Sequence, residues 1–161
     1  MSTFQTGLAV ILLAICIAGR AGISEAAAQT ADVAVVVNDK NPVNNLSSLE
    51  LRKIFAGEKR SWPGGLPIKL FVRAPGARER TVLLKLLGMS ESEYKEHWTF
   101  KVFRGEAQAE PVALFSNGMQ KEAIAVYAGA VALVNLQDVK PGMKVVMLEG
   151  HKPGEAGYPL N

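Results

Sequence analysis

The chain has 161 residues, a net charge of +3 and a single cysteine, Cys16. That length suits one domain. The charge is too small and too scattered to argue for a nucleic-acid surface, and a lone cysteine excludes an intramolecular disulfide or a cysteine-based metal site.

The chain opens on an apolar run, Gly7 to Gly19, followed by small residues that end in Ala26-Ala27-Ala28. An apolar stretch of this length before an A-x-A site reads as a secretory signal peptide. It is short for a membrane-spanning helix. The expected division is a signal peptide over 1–28 and one folded domain over 29–161. Cys16 lies inside the signal, and Ile15 before it is not the small residue a lipoprotein site needs. The folded part then holds no cysteine and relies on its core alone, which a chain of this size can build.

Within the domain, Asp32–Val37 is a β-branched apolar run bounded by Asn38-Asp39, the pattern of a strand buried on both faces. Ser47 and Glu50 form a capping box that opens a helix, with Leu46 and Leu51 spaced as a hydrophobic staple. Leu51, Ile54 and Phe55 share its inner face, and Gly57 stops it. Trp62-Pro63-Gly64-Gly65 is a turn, with Trp62 expected to pack under a loop. Ile68–Val72 reads as a strand ending at Arg73.

The tight loop at Ala74-Pro75-Gly76 leads into a helix over Arg78–Leu87, with Leu83, Leu86 and Leu87 inward and Gly88 as its stop. Ser90 and Glu93 make a second capping box, opening a helix that carries Tyr94 and Trp98. Phe103–Pro111 reads as loop. Ser116 caps a helix that runs to about Ala128 and is expected to turn Met119, Ala123, Val126 and Tyr127 inward. Ala130–Val134 and Lys144–Leu148 read as two further strands.

Strands alternating with helices predict an α/β fold with a mostly parallel sheet flanked by helices. Ligands of such sheets sit at the carboxyl ends of strands, here Asn38–Ser48, Arg73–Arg80 and Asn135–Asp138. The second of these joins a strand end to a helix start, where free N–H groups and the helix dipole favour an anion. Candidate ligand-binding residues are Arg73, the helix start at Ala77 and Arg78, and the hydroxyls of Ser47 and Ser48. Capping alone explains the two serines. Arg78 and Arg80 read equally as solvated arginines paired with Glu79. His97 and His151 stand far apart, and no metal, nucleophile-elbow or P-loop pattern occurs. No enzyme, metal or cofactor is expected.

The order of these motifs resembles the phosphate-type substrate-binding proteins of ABC transporters, of the type II periplasmic binding protein fold. Leu51-Arg52-Lys53-Ile54-Phe55-Ala56-Gly57 with Trp62 follows that family's L-x-x-I-F-x-G-x-x-x-x-W pattern. Gly129-Ala130-Val131-Ala132-Leu133-Val134 stands where G-A-I-G-Y-V is usual, and Tyr158-Pro159-Leu160 closes the match. The resemblance implies a single lobe of such a fold. It also implies a periplasmic location, reversible binding of phosphate or a similar oxyanion, and a membrane transporter as partner. Where the family carries Ser-Gly-Thr at the helix start, this chain has Ala77-Arg78-Glu79. The hydroxyls are absent and a carboxylate is present. The alternative is an interaction module without a small ligand that contacts another envelope protein. For the oxyanion reading, a homodimer could supply the wall that a single lobe lacks.

Overall fold

The computed structural model describes residues 32–160. The expected signal peptide over 1–28, its cleavage site and Cys16 lie outside the described residues. Six strands and four α-helices follow in the order β1 (Val33–Asn38), β2 (Asn45–Leu46), α1 (Ser48–Phe55), β3 (Lys69–Arg73), α2 (Arg78–Leu87), α3 (Glu91–Phe103), β4 (Val112–Leu114), α4 (Asn117–Val126), β5 (Ala130–Asn135) and β6 (Met143–Leu148). They make one α/β unit around a single sheet of order β2-β6-β1-β5-β3-β4.

β1 is antiparallel to both of its neighbours, β5 and β6, and the other pairings are parallel. Five strands therefore run one way and β1 runs against them. No helix separates β1 from β2, so the chain reverses there instead of crossing over. The sheet is mostly parallel, as expected. Asn38, however, does not join the carboxyl ends of the other strands. It lies at the opposite edge, where its amide donates to Ile124 O at 2.7 Å and Ala125 O at 3.1 Å and holds the end of α4. Two short strands, β2 and β4, were not visible as sequence patterns, because two or three residues are too few to show an alternation.

The sheet separates two cores. Val33, Val35, Val37, Val131 and Leu133 pack with α1, α2, α3 and Trp62 on one face. Ala34, Val36, Ala130, Ala132 and Val134 pack with Ile124 of α4 on the other. The continuous apolar run of β1 feeds both, as its pattern predicted. Leu51, Ile54 and Phe55 of α1 are fully buried, and burial of each contributes about 1.5–3 kcal/mol.

Both capping boxes form as expected, at Ser47 with Glu50 and at Ser90 with Glu93. Gly57 follows α1 in the left-handed region, and Gly88 caps α2 there. The inward face of α4 differs from the expectation. Met119, Val126 and Tyr127 are exposed, while Gln120 and Ile124 are buried. The Gln120 amide donates to Leu133 O at 2.8 Å. That bond turns α4 about one residue from the stripe that hydrophobicity alone selects.

Candidate binding edge

The carboxyl ends of β2, β6, β5, β3 and β4 share one edge of the sheet, and α1, α2 and α4 begin there. Arg73 ends β3, and Ala77 is the N-cap of α2 with no side-chain cap of its own. Ala77 O accepts from both Arg80 N at 3.1 Å and Thr81 N at 3.2 Å, the first returns of the helix. The N–H groups of Arg78 and Glu79 lie ahead of that turn and are the free donors of this helix end. Arg73, Ala77 and Arg78 are thus brought together as the sequence suggested.

Glu79 is buried beside them, at 3% exposure, with its Oε1 3.9 Å from Arg73 Nε. At that distance the pair is electrostatic and no hydrogen bond forms. Arg73 Nε, Arg73 Nη1 and Glu79 Oε1 are all buried without a hydrogen-bond partner among the described residues. Asn135 ends the adjacent strand β5, and its Oδ1 is a fourth buried atom without a partner. Four of the eight such side-chain atoms among the described residues therefore cluster at this edge. Native proteins pair nearly all buried polar groups, so the cluster calls for an explanation.

Arg80, read from sequence as solvated or paired with Glu79, is neither. It is buried and makes a bidentate contact with Glu91, Nη2 to Oε2 at 2.7 Å and Nε to Oε1 at 3.0 Å. Its guanidinium lies 4.1 Å from the centre of the Tyr94 ring. Burial pushes the Tyr94 hydroxyl up to about 12, so it stays neutral. Arg80 fastens α2 to α3 and points no charge at the edge.

Ser47 and Ser48 share the edge but stand apart from Arg73. Strands β6, β1 and β5 lie between β2 and β3, four steps of about 4.8 Å or roughly 19 Å. The Ser47 hydroxyl accepts from Glu50 N at 3.1 Å. The Glu149 carboxylate accepts from Ser48 N at 2.6 Å and already occupies that donor. Two cavities, of about 540 and 400 Å³, lie instead along α3, the first against Trp98, Leu70 and Arg60 and the second against Tyr94 and Arg80. Neither of these two cavities is lined by Arg73, Ala77 or Arg78. No cluster of metal-ligating side chains occurs among the described residues.

The profile of a family described as "PBP superfamily domain" matches residues 12–155. Among solved structures, the chain is similar to an ABC-type phosphate transport receptor from Vibrio cholerae, with a TM-score of 0.61 and 23% identity over 76% of this chain and 48% of that one. It is similar to a putative phosphate ABC transporter substrate-binding protein from Clostridium perfringens, crystallised with bound phosphate, with a TM-score of 0.61 and 17% identity over 76% and 46%. PstS from Borrelia burgdorferi matches with a TM-score of 0.58 and 15% identity over 76% and 49%. The chain spans about half the length of these structures, and the likeness at such identity is one of fold.

Proposed function

The chain belongs to the PBP superfamily domain family, and from that premise we propose that it binds phosphate or a similar small oxyanion reversibly, with no bond chemistry. Arg73 and the helix start at Ala77–Arg78 hold the anion, through the N–H groups of Arg78 and Glu79, because Ala77 N already donates to Ala74 O at 3.3 Å. The observation that carries this reading is the half-buried guanidinium of Arg73, with two buried nitrogens unpartnered at a strand end beside the start of a ten-residue helix. Charge-assisted hydrogen bonds from a guanidinium and from helix N–H groups are the strong ones, and they favour anions. Ser47 and Ser48 are left to α1, because capping and Glu149 engage them. The protein works outside the cytoplasm, in the periplasm, and serves an ABC-type transporter.

A second reading has one observation of its own. Glu79 balances the charge of Arg73, and the apolar side chain of Phe115, just beyond β4 at the same edge, is 75% exposed. This favours an interaction module whose edge contacts another envelope protein instead of a small ligand.

Calorimetric titration of the protein with phosphate and sulfate at low ionic strength separates the two. The oxyanion reading expects saturable heat that Arg73→Ala abolishes. No heat at millimolar phosphate would leave the interaction module.

A further inference from the structure

We propose that the cavity between α3 and the ends of β3 and β4 is a second binding site, for a small zwitterion: a free amino acid with an apolar side chain. The site lies apart from the oxyanion edge and does not depend on that reading.

The cavity is the one of about 400 Å³ against Tyr94 and Arg80, a size that suits a small ligand. Val72, Pro75, Pro111 and Ala113 give it an apolar wall. Four charged side chains line it. Two of them, Arg80 and Glu91, hold each other in a bidentate contact and cancel. Glu91 stands four residues before Lys95 on α3, the spacing at which a glutamate and a lysine ordinarily pair, but it is already engaged by Arg80. Lys95 therefore lines the cavity with no ion pair among the described residues, and Glu110 lines it equally unpaired. A cation and an anion thus share one apolar cavity without meeting each other.

Tyr94 supplies an uncharged polar group. Its ring is buried, and its hydroxyl has no hydrogen-bond partner among the described residues. Burial keeps that hydroxyl protonated, and Arg80 and Glu110, both walls of this cavity, act on it electrostatically. It is therefore a donor on the cavity side of the ring. A zwitterion answers all three groups. Its carboxylate pairs with Lys95 and accepts from Tyr94, its ammonium donates to Glu110, and its side chain covers Pro75 and Pro111. A ligand with one charge alone leaves the opposite group of the site unmatched, which is where discrimination arises.

Calorimetric titration of the full chain with L-leucine, L-valine and L-proline tests this, together with the deaminated and decarboxylated analogues of whichever binds. Saturable binding of at least one amino acid is expected, with both analogues at least about tenfold weaker. Lys95→Ala and Glu110→Gln change exposed positions. Each is expected to weaken the amino acid about tenfold and to leave thermal unfolding unchanged. Tyr94→Phe removes an unpartnered hydroxyl and is expected to weaken binding several-fold without lowering the unfolding temperature. No saturable heat at millimolar concentration of any of the three would overturn the inference. An analogue lacking one charge that binds as tightly would overturn it too, as would unchanged affinity in both Lys95→Ala and Glu110→Gln. So would a Tyr94→Phe variant that loses stability and keeps its affinity, because the hydroxyl would then serve the core.

Discussion

The turn that closes α1 and the edge at the end of β3 treat their polar groups in opposite ways. At the turn, the Trp62 indole is buried and donates to Gly129 O at 3.0 Å. Gly57 lies in the left-handed region, with φ of 73°, and a Cβ there would meet Trp98 Cη2 at 2.5 Å. At Gly129 a Cβ would stand 1.9 Å from Pro67 O. Backbone and ring approach as closely as they can, and the Trp62 donor is matched. At the edge, a guanidinium and a carboxylate stand 3.9 Å apart, and three of their buried atoms have no partner. The residues of the family-like motif thus build a lock between the exit of α1 and the entry of β5, away from the candidate edge at Arg73. A sequence signature that identifies a fold need not touch a ligand.

The contrast breaks most sharply at Gly129. Gly129→Ala drives a methyl into the Pro67 carbonyl, a backbone atom that cannot swing away. It is expected to destabilise the protein by about 3 kcal/mol in urea unfolding, with the anion edge unchanged in whatever remains folded. Trp62→Phe keeps the six-membered ring but removes the indole donor from the Gly129 carbonyl, which still accepts from Lys69 N at 2.9 Å, for an expected loss of about 1.5 kcal/mol by the same measurement. A loss below about 0.5 kcal/mol would mean that this hydrogen bond is not what holds the turn. At the edge, Glu79→Gln should behave differently. It removes the charge that opposes an anion and leaves the half-buried Arg73 without its counter-charge, for an expected loss of about 1 kcal/mol, small because the pair is long and makes no hydrogen bond. Its effect belongs to binding, as several-fold tighter sulfate in calorimetry. A large stability loss in Glu79→Gln would mean that the Arg73–Glu79 pair is a structural ion pair and would weaken the binding reading.

The lock was partly legible in advance. The capping boxes at Ser47 and Ser90, the stops at Gly57 and Gly88 and the inward face of α1 each depend on residues within four positions of one another, and each forms as the pattern indicates. The site was legible only in part. Arg73 at a strand end beside a helix start is a local reading, and the structure brings it to Ala77 and Arg78. The partner of Arg80 is a different matter. Glu91 stands eleven residues on, across the joint between α2 and α3. Glu79, the residue just before Arg80, is closer in sequence and turns instead toward Arg73.

What the sequence determines by itself is the set of elements, their order and most of their ends, because capping, glycine stops and hydrophobic period act over a single turn or a few strand residues. It also carries the family, through the spacing from Leu51 to Trp62 and the run from Gly129 to Val134. Only the tertiary structure decides the reversed direction of β1, which sends Asn38 to the far edge to hold α4. It alone turns α4 onto Gln120, whose amide donates to Leu133 O, and brings the ends of β5 and β3 side by side at one edge. Each of these depends on which strands become neighbours. Strand order is a property of the packed sheet, settled by burial on two faces at once, and no short stretch of the chain contains it.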